Sequence, residues 1–512
     1  MNKKKNKTLI QLFSHLEGIV VAPTIVTLSD NIIIDSLINM KKVSLSSISE
    51  SQNVQIGYLN VALNTLTSLG VVEKNFKSND TVYTLTEYGD NFLQYRKSYS
   101  FYNLIKDSLN NFIINDIQKS DLDEYLNILS EHIDKQLAEL KRLYLDGDEL
   151  MLRIAQHIEG FILYPLILYI SHHGDTNPHT TSIKNIIKEI LSQDSTTNID
   201  ETYNYIISRS KSYGVTASYQ PIFSNLDNII FNNDNLIYSR DIHEKEIHVN
   251  RRLNVWASGG AHKTYFKKID SIIIDIFNAP IENQPKGIAD MGCGDGMFLN
   301  HLYSLISDNT LRGKHLKDFP LTLIGADLNQ EALDVASKNL NASNIHCNFI
   351  IADISNPDRY KNDLLENLDI NINDLFHVRS FLDHNRIYKK VKQTLDINYS
   401  TKCAYAYKGE HISSNEIISN LIHHFNQWKD HISKHGLLLL ELHGIDPHLS
   451  ASNKSMTPTI AYEATHGYSD QFILEHEVFL ECAKSAGLNI VKKYSKCFPT
   501  KELATISLNI FK

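Results

Sequence analysis

The chain has 512 residues, 42% of them apolar and 21% charged, which excludes a disordered or collagen-like chain and leaves room for two to four domains. A formal net charge of −9 argues against nucleic acid as the main partner, because a phosphate-gripping surface needs a surplus of Lys and Arg. The five cysteines, at 293, 347, 403, 482 and 497, lack C-x-x-C spacing and read as reduced thiols; with no apolar stretch behind Lys3, Lys4, Lys5 and Lys7, a cytoplasmic protein is expected.

In chain order, residues 8–97 read as helices followed by a small hairpin. An apolar helix starts near Leu9, a second lies around Ile32 to Leu37, and Ser47 to Glu50 has the form of a helix-start box. Gly70 ends the next helix, before the strand pair VVEKNF and TVYTLTEYG. The order resembles a winged helix, predicted here as a domain over 1–100. Such modules often bind DNA, but ten Lys or Arg against eight Asp or Glu in these residues favour a dimerisation or lid role, and a homodimer is expected.

Residues 101–250 read as a helical linker or lid. From Tyr102 to about Ile170 the apolar residues recur at helical spacing, and the longest apolar run, Phe161 to Ile170, is too short to span a bilayer and contains Pro165. IIFNNDNLIYS looks like a hairpin around Asn232 to Asn235, so a second, degenerate winged-helix-like unit is expected in 176–250. No strict repeat is apparent.

From residue 251 onward strands alternate with helices, as in an α/β domain with a parallel sheet. The strands are GIADMG, LTLIGADL, CNFIIADI, DLFHVRSFL and GLLLLEL, and NIVKKYSKCF with ATISLNIF closes the sheet as an antiparallel hairpin. Before them, Gly259 and Gly260 read as a flexible turn placing His262 and Tyr265 near a ligand.

The first strand runs into IADMGCGDGMF, an acid and three alternating glycines (Asp290, Gly292, Gly294, Gly296) where a strand should become a helix. Removing three Cβ atoms lets the backbone wrap a ligand, and the following helix turns free N–H groups toward it. A dinucleotide fingerprint needs its third glycine one residue later, where Met297 stands. Asp-x-Gly-x-Gly-x-Gly instead resembles the first motif of class I S-adenosylmethionine-dependent methyltransferases. That resemblance implies a Rossmann-like sheet, with Asp290 near the methionine portion, Asp327 on the ribose hydroxyls and Asp353 at the adenine amino group. Independently, all three acids end successive strands, and Leu328 and Ile354 offer flat apolar cover for a purine.

The fourth strand leads into HVRSFLDHNRIY, where Arg379, Asp383, His384, Asn385 and Arg386 stand close together. So many polar groups at a strand's carboxyl end are costly to bury without a ligand or mutual pairing. This segment and ATHGYSDQFILEHEVFLECAKSAGL resemble the methyltransferases of polyketide synthase loading modules, the apratoxin type, over roughly 250–512. The resemblance implies carbon methylation of a carrier-bound malonyl-type thioester, with His384 the candidate base and Asp383 and Arg379 beside it. It also implies one metal ion, iron or manganese, on His466 and Gln471, completed by Asp470, His443 or Asp383. His423, His424, His431 and His435 read as surface residues of a helix. Two alternatives stand: a small-molecule O-methyltransferase with a histidine base, and a winged-helix regulator that senses S-adenosylmethionine.

Overall fold

Two long apolar helices organise the N-terminal half. The computed structural model describes residues 3–51, 54–77, 80–145, 147–174, 178–232, 235–242 and 244–512. Helix Lys3–Asp30 is buried nearly all round, with Leu12, Leu16, Ile19, Val20 and Ile25 at 1% exposure or less, so it requires cover on every face. Helix Glu149–His173 supplies much of that cover. The run 161–170 sits inside it, as expected of a buried helix. By length and composition both helices are apolar enough to cross a membrane, but 83% and 89% of their apolar windows are buried within the protein.

The pair carries one pattern twice. His15-Leu16-Glu17-Gly18 is followed by Pro23, and His157-Ile158-Glu159-Gly160 by Pro165 at the same interval, a repeat the sequence reading passed over. The contacts are reciprocal: His15 Nε2 lies 3.0 Å from Glu159 Oε2, and His157 Nε2 lies 3.1 Å from Glu17 Oε2. A Cβ on Gly18 would stand 2.1 Å from the His157 carbonyl oxygen, and one on Gly160 would stand 2.2 Å from that of His15. Arg153 adds two bonds to Glu17 Oε2, at 3.1 and 2.9 Å. Burial pushes the Glu17 carboxyl up, but Arg153 and His157 outweigh it and hold the group below the usual carboxylate range.

Between these helices come helix Ile33–Met40, strand β1 (Lys42–Ser44), helices Leu45–Ser51 and Ile56–Ser68, and the antiparallel hairpin of β2 (Val72–Lys77) and β3 (Asp80–Leu85), in the sheet order β1-β3-β2. Strand β1 was not foreseen. The helix starts one turn before the expected box: Ser44, not Ser47, is the capping residue, its hydroxyl accepting the Ser47 N–H at 3.2 Å.

The expected boundary at 100 does not separate cores, whereas the chain first passes from one unit to the other at Ala261, shortly after the boundary expected at 250. One unit comprises Met1–Ala261 with Cys403–Ile412 and Asp446–Asp470, and a single apolar cluster runs from Leu12 to Tyr468. Residues 178–231 form short helices, and Ile229, Ile230 and Phe231 belong to helix Leu226–Phe231, so the expected hairpin and second winged-helix-like unit are absent among the described residues; Asn233 and Asp234 lie outside them. The Gly259–Gly260 turn is likewise replaced by one continuous helix, Arg251–Phe277. Two glycines cost it about 1 kcal/mol each relative to alanine, which the burial of Ile269, Ile272, Ile273 and Phe277 offsets. The His262 side chain lies outside the described residues.

The other unit, His262–Lys402 with Ser413–Ile445 and Gln471–Lys512, holds the predicted sheet. Its strands are β4 (Gly287–Met291), β5 (Thr322–Asp327), β6 (Asn348–Ile351), β7 (Leu375–Ser380), β10 (Leu437–Leu442), β11 (Lys496–Phe498) and β12 (Ile506–Phe511). The order is β11-β12-β10-β7-β4-β5-β6, with β12 antiparallel to both β10 and β11 and the remaining pairs parallel. The terminal hairpin is present, although NIVKKYSKCF contributes only its last residues as strand. The two-residue strands β8 (Ala406–Tyr407) and β9 (Glu410–His411) belong to the first unit.

Candidate functional site

The carboxyl edge of β4, β5 and β6 forms the candidate cofactor cleft. Between β4 and helix Met297–Asn309 the chain takes positive φ at Gly292, Gly294 and Gly296, at 73°, 53° and 76°. The Gly292 and Cys293 N–H groups both donate to the Ala326 carbonyl, at 2.8 and 3.1 Å, which ties the turn to β5. A Cβ on Gly292 would meet the Leu382 side chain at 2.9 Å, whereas one on Gly294 would meet nothing within 4 Å. Gly294 therefore borders open space, the place for a ligand.

Asp327 ends β5 and accepts the Gly294 N–H at 3.2 Å and the Asn329 N–H at 3.0 Å. One bond to each oxygen orients the carboxylate and leaves each a further lone pair for paired hydroxyls. Asp290 is 2% exposed, and its Oδ1 has no hydrogen-bond partner. Burial, with Asp327 and Asp295 nearby, pushes its carboxyl well above the usual carboxylate range. Asp353 accepts the Ser355 N–H at 2.7 Å. Leu328 is 63% exposed and open to a planar ring, but Ile354 is 7% exposed, so its expected role as a flat cover is corrected: its carbonyl accepts Trp428 Nε1–H at 2.8 Å. An orphaned carboxylate oxygen, an uncovered glycine and acids ending three neighbouring strands fit S-adenosylmethionine.

The second cluster lies where β7 and β10 end side by side. Glu441, 1% exposed in an otherwise apolar strand, accepts the Asp383 N–H at Oε2 (2.7 Å) and holds His384 Nδ1 at Oε1 (2.6 Å). The Phe472 N–H donates to the His384 carbonyl at 2.7 Å. His384 and Glu441 are thus an acid–base pair at the sheet edge. Arg386 donates to Asn420 Oδ1 and to the Asp383 carbonyl, at 2.8 and 3.0 Å.

Asp383 and Arg379 do not have the catalytic placement expected of them. Each is 1% exposed, and Arg379 Nη1 donates to Asp383 Oδ1 at 2.6 Å. Helix Ser414–Ile432 supplies His424, whose Nε2 lies 2.9 Å from the same oxygen, and Trp428, whose ring centre lies 4.2 Å from the Arg379 guanidinium carbon. Burial works against the Asp383 charge, but Arg379 and His424 outweigh it and hold the carboxyl below its ordinary range. His424 and His431 are therefore buried, at 4% and 6%, rather than surface residues. Sequence reading missed Glu441, His424 and Trp428. A lone acid in GLLLLEL marks Glu441, whereas the spacing of the other two is that of any helix face.

Tyr265 packs its ring against Phe381 and Phe498, at 6.2 and 5.5 Å. Four of the expected metal ligands are engaged by other groups. His466 Nδ1 lies 2.6 Å from its own helix's Tyr462 carbonyl, and Asp470 accepts from Tyr58, Tyr238 and the Lys408 N–H. His443 has both ring nitrogens engaged, by the Leu474 carbonyl and Ser507 Oγ, and Asp383 is committed to Arg379. His466 and Gln471, two neutral donors, are a poor set for a hard divalent ion, and among the described residues no group of three or more His, Cys, Asp or Glu is gathered for one.

The profile of the AprA MT2-like domain matches residues 246–509, just over half of the chain, and that of the AprA N-terminal domain matches residues 8–74. No curated protein matches. Among solved structures, an O-methyltransferase family 2 protein from Planctomyces limnophilus DSM 3776, in complex with apigenin, is 9% identical over 98% of this chain and 96% of that one, with a TM-score of 0.41. The CurJ carbon methyltransferase is 11% identical over 80% and 98%, with a TM-score of 0.30. Human N-acetylserotonin methyltransferase in complex with SAM is 10% identical over 97% and 94%, with a TM-score of 0.27. Likenesses this distant bear on neither reaction nor substrate.

Proposed function

Because this chain belongs to the AprA MT2-like family and is an S-adenosylmethionine-dependent methyltransferase, we propose that it methylates the α-carbon of a carrier-bound malonyl-type thioester, with His384 as the base. The 2.6 Å contact between His384 Nδ1 and Glu441 Oε1 carries this reading. With Nδ1 donating, the lone pair of the neutral ring sits on Nε2, the nitrogen that takes the proton α to the thioester. The buried Glu441 carboxylate then steadies the imidazolium, and its second bond, from the Asp383 N–H, keeps it in place. When bound, S-adenosylmethionine supplies an electrophilic methyl, whose bond to sulfur breaks as the new carbon–carbon bond forms. An acyl carrier protein is the partner in this reading and the cytoplasm its setting.

The test is intact-mass detection of methyl transfer to malonyl and methylmalonyl carrier thioesters and to phenols, with and without chelator. The expected result is one added methylene on the malonyl thioester, lost in His384→Ala. Transfer to phenols alone would overturn carbon methylation while leaving a His384-dependent O-methyltransferase. Loss of turnover on chelation would restore a metal to the reaction.

A further inference from the structure

Four side chains form a continuous path between the two clusters of the sheet edge. Trp428 Nε1–H donates to the carbonyl of Ile354, the residue after Asp353, and the Trp428 ring faces the Arg379 guanidinium carbon at 4.2 Å. Arg379 Nη1 and His424 Nε2 converge on one oxygen of Asp383, at 2.6 and 2.9 Å, which brings those two nitrogens to 3.2 Å. The next residue along the chain is His384. Its carboxylate partner Glu441 also holds the Asp383 N–H, so the turn carrying the base is gripped at the Asp383 side chain and at its backbone.

The composition of this path is more than packing requires. Arg379 is 1% exposed, and its Nε and Nη2 have no hydrogen-bond partner among the described residues. A buried guanidinium with orphaned donors is costly, and apolar residues of similar volume would fill the space as stably. What an apolar core would not supply is a directional link. Trp428 and His424 stand four residues apart on helix Ser414–Ile432, so one helix face touches the Ile354 backbone and the Asp383 carboxylate together.

We propose that Trp428, Arg379 and His424 are positioning residues that couple the adenine end of the cofactor cleft to His384, so that a cofactor seated against Asp353, whose neighbour Ile354 is held by Trp428, sets the orientation of the base. The coupling acts through Asp383; none of the three touches a reacting atom. It rests on the reading of His384 as base.

The measurement of the coupling needs no known acceptor. Carbethoxylation of His384 by diethyl pyrocarbonate is followed by peptide mass spectrometry across pH 5.5–8, with and without saturating S-adenosylhomocysteine, whose binding is measured by calorimetry. In the unaltered protein the nucleoside should change the His384 rate by about fivefold or more. Trp428→Phe, which keeps a ring over Arg379 but loses the N–H, should still bind S-adenosylhomocysteine while the two rate profiles collapse onto one. His424→Ala should do the same, and His424→Gln, whose amide N–H can reach Asp383, should restore part of the difference.

An unchanged difference in folded Trp428→Phe and His424→Ala, or no effect of the nucleoside in the unaltered protein, would overturn the coupling. Failure of the base reading is distinguishable: His384→Ala would then retain methyl transfer, whatever the carbethoxylation rates show.

Discussion

Asp290 shows how a single side chain trades stability for binding. Its carboxyl is pushed well above the usual range by burial, with Asp327 and Asp295 adding repulsion. The folded chain therefore holds the proton more tightly than the unfolded one, so Asp290 costs stability progressively as pH rises from the ordinary carboxylate range through the raised folded value. Asp290→Asn should remove that cost. Its melting temperature without cofactor should match the parent at pH 4 and exceed it at pH 8 by about 2 °C or more, while S-adenosylmethionine affinity falls. Equal melting curves at both pH values would show the carboxyl is not perturbed. Asp327→Ala should behave differently, leaving the melting temperature within about 2 °C and weakening cofactor binding by about a hundredfold in calorimetry, because a carboxylate on paired hydroxyls provides two charge-assisted bonds.

At the scale of the element, the glycine turn separates folding from ligand approach. Gly294→Ala sets a methyl into open space at φ 53°, so the backbone cost is about 1–2 kcal/mol but the ligand meets the methyl directly. Gly292→Ala bears a similar φ and also drives a methyl to 2.9 Å from Leu382, on the turn leading to Asp383. Thermal melts and calorimetry should therefore rank Gly292→Ala as the less stable protein, with Gly294→Ala losing cofactor affinity beyond its loss of stability. These strands and this turn were legible because a buried parallel strand is an unbroken apolar run and positive φ calls for glycine. The residues behind His384 were not. Glu441 acts on His384 and His424 on Asp383 through contacts between residues 57 and 41 positions apart, which local periodicity does not encode. The Gly259–Gly260 turn failed for the opposite reason, since tertiary burial outweighed a local propensity of about 1 kcal/mol per glycine.

At the scale of the molecule, composition announced several domains, but not where their boundaries fall. The pattern changes near 100 and 250, and only the second change lies close to a division between units; the first unit also takes in Cys403–Ile412 and Asp446–Asp470 from far along the chain. Within it, reciprocal contacts between the repeated segments hold helices Lys3–Asp30 and Glu149–His173 together. An isologous interface, in which the same patch appears on both partners, ordinarily relates two subunits of a homodimer. Here it is folded into one chain, so each helix is half of a dimer whose other half is covalently supplied. A fragment of residues 1–100 would expose Glu17 without Arg153 or His157, and should fail to give a cooperative melt. Gly18→Ala and Gly160→Ala should lower the melting temperature of the full chain by nearly the same amount, since each drives a methyl into the other segment's histidine carbonyl. Near-equal penalties at positions 142 residues apart would mark the two helices as one object seen from its two ends.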